Sequence, residues 1–343
     1  MMQMMPLLLL LLLISANAAN AANAANAAND ANDANVTVLS VGDWGSAALG
    51  GYHLNNAQNT AAAMQLYLKQ YSPSLVLNTG DNFYYCGIQN GSDAQINEDF
   101  VALFGSINVP WYNILGNHDY GFNPDAQLWL NQTIPGWVMD GRYYHRRVVL
   151  RDGLQPIVLN VIALDTNPCV ADYRGNDRAK WDPCGLQYPT CEPVPDECRF
   201  HDNIVQQDCG AQLAWFRDVL DTIDTDNEWV FVLGHHKATE INVENFQALI
   251  GDPRVHVYLN GHTHNLEHYS VGNDPKYMTT GAGGMVIGGG RIHIPTMNNR
   301  SRSVWRKVVT GFTSHTFVGN DTVVTDFWDT HQRLLHSFTT QHP

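Results

Sequence analysis

A chain of 343 residues with a formal net charge of -14 and a sequence pI near 5.4 has no general attraction for nucleic acid or for anionic membranes. Any pull on a phosphate must therefore be local. The length suits one large α/β domain, and no Gly/Ser- or Pro-rich linker divides it.

Residues 1–18 have the pattern of a signal peptide. Leu7 to Ile14 is an apolar run too short to span a bilayer, and Ala16-Asn17-Ala18 is a small-residue cleavage signature. No Lys or Arg precedes the run, so the positive charge of that region rests on the amino terminus. The Ala/Asn repeat over 19–35 has neither apolar periodicity nor capping residues and reads as a disordered leader. The expectation is export, to the outside of the cell or to a lysosome or vacuole, with one domain over 36–343.

Five short apolar runs then predict buried strands: Val36 to Val41, Leu75 to Leu77, Trp111 to Leu115, Trp229 to Leu233 and Val255 to Leu259. Each leads into a segment rich in metal-type ligands. These segments are Gly42-Asp43-Trp44-Gly45, Gly80-Asp81-Asn82-Phe83-Tyr84, Gly116-Asn117-His118-Asp119, Gly234-His235-His236 and Gly261-His262-Thr263-His264. In an open α/β sheet the ligand site lies beyond the carboxyl ends of the strands, so all five segments are expected at one edge of one sheet.

Helices are expected over 56–70, 93–104 and 211–223, the last with Leu213, Phe216 and Leu220 facing inward. After His264 the pattern changes to alternation over 277–280, 308–317, 322–328 and 333–339, which fits antiparallel hairpins of a second sheet. The expected fold is α/β, two packed mixed β-sheets flanked by helices.

The chain has six cysteines, an even number, which in an exported protein reads as disulfides, with about fifteen connectivities. Cys169, Cys184, Cys191, Cys198 and Cys209 crowd a Pro/Asp/Gly-rich insertion at about 166–209, while Cys86 sits alone near Tyr84. Cys86 is expected to pair with one of the five. Sequons at Asn35, Asn90, Asn131, Asn299 and Asn320 would be usable for N-glycans on that route.

Taken singly, Asp43 or Asp81 reads as an ordinary turn carboxylate. Together with the other segments they read as ligands of a two-metal hydrolase, in which a carboxylate bridges ions about 3.5 to 4 Å apart, and Asp81 is the candidate bridge. His235, His262 and His264 are candidate imidazole ligands, and His236 reads as support for its loop. Asn117 offers a neutral oxygen to a hard divalent ion. Tyr84 narrows the metal, because a phenolate suits a ferric ion far better than zinc or magnesium. Asp43, Asp81 and a Tyr84 phenolate would not neutralise a ferric ion plus a divalent one. The site would stay cationic and could still take a phosphate.

On these motifs the chain resembles the purple acid phosphatases of the small, tartrate-resistant type, within the calcineurin-like metallophosphoesterases. The resemblance runs from residue 36 to the end and includes Asn265-Leu266 and Gly281-Ala282-Gly283-Gly284. It implies a catalytic domain with a ferric ion on Asp43, Tyr84 and His264. Iron(II) or zinc(II) would sit on Asn117, His235 and His262, with Asp81 bridging. It also implies that His118 contacts substrate and protonates the leaving alkoxide.

Two features depart from the family. Glu244 stands where a second substrate-facing histidine is usual, and the segment Gly234-His235-His236-Lys237 replaces the usual Gly-His-Tyr-Pro. His236, Lys237 and Glu244 are therefore the substrate-contact candidates. The resulting expectation is a monomeric acid phosphatase that attacks phosphate monoesters in line with a metal-bound hydroxide. Its rivals are a secreted phosphodiesterase or protein phosphatase on the same motifs, and a secreted non-enzymatic binding protein.

Overall fold

The computed structural model describes residues 35–153, 155–175, 181–185, 191, 197–286 and 301–342. The expected signal peptide and the leader up to residue 34 lie outside these residues, as does the sequon at Asn299.

Two seven-stranded sheets pack face to face. The chain begins in the first with β1 (Asn35–Val41), β2 (Val76–Asn78), β3 (Trp111–Tyr112) and β4 (Trp137–Val138), all parallel. It then builds the second from β5 (Tyr144–Arg151), β6 (Ile157–Ala163), β7 (Trp229–Leu233), β8 (Val257–Asn260), β9 (Leu266–Val271), β10 (Asp274–Thr280) and β11 (Ser301–Lys307). In this sheet β6, β7, β8 and β10 run parallel. The chain finally returns to the first sheet with β12 (Gly311–Val318), β13 (Thr322–Asp329) and β14 (Leu334–Gln341), antiparallel beside β1.

The two-sheet α/β architecture is the one expected, but its division differs. The five ligand-bearing strands do not share a sheet: β1, β2 and β3 lie in the first, β7 and β8 in the second. The C-terminal hairpin strands do not form a separate sheet either, since they extend the first one. Strand periodicity reports which faces are buried and says nothing about which strands pair.

Helix α1 (Gly51–Tyr71) buries His53, Ala57, Thr60, Ala61, Met64 and Tyr67, a stripe at helical spacing. It starts earlier than expected because Gly50 offers no side-chain cap to read. The expected helix over 93–104 is a π-turn, Ile96–Val101, followed by the short α2 (Ala102–Phe104). Here the buried Asp99 turns toward the loop after β1 and accepts the Ala48 N–H at 2.7 Å. The insertion contributes α3 (Ala171–Arg174) and α4 (Phe200–Val205), and α5 (Cys209–Thr222) starts on a side-chain cap from Asp208. Phe216 and Leu220 of α5 are buried and Leu213 is half-buried, and α6 (Phe246–Ile250) follows β7.

Trp44 anchors the core beneath the ligand loops. Its ring meets Phe83, Phe100, Phe104 and Trp111 at centroid distances of 6.0, 5.4, 5.4 and 6.1 Å, and its indole N–H donates to Asn78 Oδ1 at 3.0 Å. Each such aromatic pair contributes about 0.5–1.5 kcal/mol beyond area burial. The residue after Asp43 therefore fixes that loop from below.

Candidate metal centre

Parallel strands deliver their C-terminal tips to one end of the sandwich, and the tips of both sheets converge there. Thr280 at the end of β10 joins them: its carbonyl accepts the Gly42 N–H at 2.9 Å and its hydroxyl donates to the Ser40 carbonyl at 3.0 Å. The Gly281–Gly284 segment continues the seam, with the N–H of Gly283 on the Gly42 carbonyl and that of Met285 on the Asp43 carbonyl, both at 2.9 Å.

The sharp turns at the tips hold Asp43, Asp81, His262 and His264 at φ of 55°, 56°, 73° and 51°. Left-handed backbone in non-glycine residues costs roughly 1–3 kcal/mol each and persists where surrounding structure enforces it. Four of the six such residues described are ligand candidates, so the strain is concentrated at this site. Close approach has a second requirement at Gly116 and Gly261, where a Cβ would overlap Asp81 Oδ1 and Asp43 Oδ2 respectively.

All seven expected ligands come together, in two groups. In one, Tyr84 Oη lies 2.8 Å from Asp81 Oδ2, 3.1 Å from Asp43 Oδ1 and 3.1 Å from His264 Nε2. In the other, Asn117 Oδ1 lies 2.9 Å from both His235 Nε2 and His262 Nδ1. Asp81 Oδ2 joins them, being also 3.4 Å from His235 Nε2.

The donor set suits a cation. His235 Nδ1 faces the Thr79 carbonyl at 2.8 Å, so it carries a proton. A neutral His235 would then aim its Nε2 lone pair at Asn117 Oδ1 and Asp81 Oδ2, both acceptors. A proton or a metal ion between these atoms resolves the conflict. Burial alone would depress the His235 pKa, but the charges and bonds of Asp81, with Asp43 and Thr79 adding, raise it to about 9. Burial and then the Asp43 and Asp81 carboxylates push the Tyr84 phenol far upward, while His235 and His118 overcome burial to hold Asp81 well below the usual carboxylate range. These residues fit a pair of metal ions.

His118 stands beside this cluster. Its backbone N–H donates to Asp81 Oδ1 at 2.9 Å and its ring lies 4.4 Å from that of Tyr84. Nδ1 donates to the Tyr85 carbonyl at 2.7 Å, which leaves Nε2 as the titrating nitrogen. Burial lowers its pKa against the opposing pull of Asp81 and of the Tyr85 bond.

The three substrate-contact candidates fare differently. His236 is buried beside His262, with ring centroids 4.5 Å apart. Lys237 is not free for substrate, because its ammonium is buried against Glu267 at 2.7 Å and lies over the Tyr269 ring. Glu244 is exposed beside Gly210, where α5 begins, away from the ligand cluster. The loop turns back before it, and Glu240 approaches instead, with Oε1 3.8 Å from His262 Nε2.

Asp119 is a further residue without a role assigned from sequence. Buried, it accepts the N–H groups of Asn82, Phe83 and Gly116 at 3.1, 3.1 and 2.7 Å and so ties the Asp81 loop to the Asn117 loop. Burial first and then the Asp81 charge raise its pKa to about 7. Its signal in the sequence was a carboxylate directly after two functional residues, and nothing there told support from ligation.

The cysteines form three bridges, Cys86–Cys191, Cys169–Cys209 and Cys184–Cys198, and Cys86 pairs into the insertion as expected.

Residues 36–266 match the family model described as calcineurin-like phosphoesterase. The tartrate-resistant acid phosphatase type 5 of Oryctolagus cuniculus is 28% identical over 256 residues, 71% of this chain and 72% of that protein. Purple acid phosphatase 7 of Arabidopsis thaliana is 27% identical over 259 residues, 72% and 70% of the two chains. Among solved structures, GAP50, titled the anchor in the inner membrane complex of Plasmodium, matches with a TM-score of 0.65 at 18% identity over 90% of each chain. Purple acid phosphatase PPD1 from yellow lupin seeds matches with a TM-score of 0.57 at 16% identity, over 89% of this chain and 53% of that one. The two structural likenesses show the fold alone. The family match spans the tips that carry all seven candidate ligands, and the chain belongs to the calcineurin-like phosphoesterase family.

Proposed function

We propose that the protein is an acid phosphatase acting on phosphate monoesters with a binuclear, iron-containing centre. The observation that carries this reading is the position of Asp81 Oδ2, 2.8 Å from Tyr84 Oη in one ligand group and 3.4 Å from His235 Nε2 in the other. In this reading Asp43, Tyr84 and His264 would hold a ferric ion, Asn117, His235 and His262 would hold iron(II) or zinc(II), and Asp81 would serve both. When bound, the ions neutralise the phosphoryl oxygens and supply an ionised water as nucleophile at acidic pH. His118, held by Tyr85 through Nδ1, delivers a proton from Nε2 to the leaving oxygen.

Export, a signal peptide over 1–18, a leader over 19–35 and a catalytic domain over 36–343 with the insertion at about 166–209 belong to the same proposal. It is supported by the three disulfides and by the exposure of Asn35, Asn90, Asn131 and Asn320. No described helix is long and apolar enough to cross a membrane.

Purified protein assayed on an aryl phosphate and on the matching diester decides the reaction class. The expected result is an acidic optimum with the monoester preferred. Preference for the diester would transfer the site to a phosphodiesterase, the alternative that shares these motifs and that the Tyr84 contacts weigh against.

A further inference from the structure

The insertion places a tyrosine next to the site, and hydrogen-bond accounting fixes the direction of its hydroxyl proton. Thr166 Oγ1 accepts the backbone N–H groups of His235 at 3.1 Å and His236 at 3.2 Å. Both its lone pairs are used, so its one proton goes to His236 Nδ1, 2.9 Å away. His236 then carries its proton on Nε2 and donates it to Tyr173 Oη at 3.1 Å. Tyr173 accepts that bond and keeps its own O–H to give.

From this chain of bonds we propose that Tyr173 is a substrate-binding residue, donating its hydroxyl proton to a phosphoryl oxygen of the bound ester, and that Thr166 and His236 are the residues that position it. Tyr173 spans the rim between the two functional sides. Its ring is 5.4 Å from that of His236, which is 4.5 Å from His262, and 5.7 Å from Trp181, which is 4.9 Å from His118. Burial first, then the Glu240 and Asp81 carboxylates, keep the phenol protonated and therefore a donor. The ring is fixed edge-on against Phe200 at 5.3 Å, and its short helix α3 is tied down by Arg174, which donates to the carbonyls of Pro168, Ile204 and Gln207. The Cys169–Cys209 bridge closes the same segment. A donor held this firmly needs no reorganisation when the anion arrives.

This inference rests on the phosphatase reading, and inorganic phosphate separates the two in the test. Tyr173→Phe keeps the packing and removes only the hydroxyl. In metal-loaded protein it should weaken phosphate binding, read by calorimetry, roughly 10- to 100-fold, the range for a lost bond to a charged group. Metal content should not change. Thr166→Val should give part of that loss and shift the His236 ring nitrogen resonances from the Nε2–H tautomer to a mixture, while Thr166→Ser restores both. Phosphate binding within twofold of wild type in Tyr173→Phe overturns the inference and leaves the phosphatase reading intact. Wild-type protein that loads metal and binds no phosphate overturns both.

Discussion

Cys86 is bonded to Cys191 across a separation of 105 residues, and the bridge fastens the loop that carries Asp81 and Tyr84 to the insertion that carries Tyr173. The Gly121 backbone packs directly against Cys86, so the His118 segment belongs to the same unit. The loops of Asp81, Tyr84 and His118 thus meet at Cys86, which ties them covalently to Cys191.

Removing this bridge should lower stability by roughly 2–4 kcal/mol, chiefly through the unfolded state, and should speed metal loss. The variant to use is Cys86→Ala with Cys191→Ala. A single Cys86→Ala leaves a Cys191 thiol with its sulfur 3.1 Å from Cys198, poised to exchange into the Cys184–Cys198 bridge. Denaturant unfolding together with metal content checks it, and an unchanged midpoint would count against the bridge as a brace.

Asn117 and His118 are adjacent but should fail differently. Asn117→Ala removes the oxygen that faces both His235 and His262 and should deplete the divalent ion. His118→Ala should keep both metals and lose turnover about 10²- to 10⁴-fold, more for alkyl than for activated aryl phosphates. Equal losses on the two ester types would remove His118 as the proton donor.

Two buried groups away from the site give stability opposite pH slopes. His315, locked between Ser40 and Thr325 hydroxyls at 2.9 and 3.0 Å, has its pKa lowered by burial to about 3. The unfolded chain binds the proton first, so stability falls as pH drops from about 6.5 toward 3, by on the order of a few kcal/mol. His315→Gln should flatten that acid limb in thermal melts, at a cost near neutrality.

Asp99 works the other way. Burial raises its carboxyl to about 7 against the opposing N–H bonds of Ala48 and Ala47. The folded chain holds the proton more tightly, so stability falls as pH rises from about 4 to 7. Asp99→Asn can still accept the Ala48 N–H and should gain stability relative to wild type above pH 7 while matching it near pH 4. A constant difference across that range would exclude this account of Asp99.

The convergence of the candidate ligands was legible in the sequence because each follows a short apolar run ending in a small or turn residue, and parallel strands bring such tips to one end. Sheet membership was not legible. Val36–Val41 and Trp229–Leu233 read alike, yet β1 and β7 lie in different sheets, since a fully buried strand carries no mark of its partners. The positions of Lys237, paired with Glu267, and of Glu244, exposed beside Gly210, were not legible for a related reason. Sequence distance from His235 does not show that the loop turns back at Glu240, whose carboxylate accepts the Lys237 N–H at 2.8 Å. Thr166 and Tyr173, after β6, meet His236, after β7, only once the chain has folded, and no local pattern announces their relay.

The visible spectrum of the purified protein, read together with its iron content, tests the proposed binuclear iron centre most directly. With iron bound, Tyr84 as a phenolate ligand should give a charge-transfer band, and Tyr84→Phe, which keeps the ring packed against His118, should abolish it. A coloured wild type and a bleached variant that retains iron is the expected result. A colourless wild type carrying stoichiometric iron would contradict Tyr84 as a ligand and, with it, the ferric assignment.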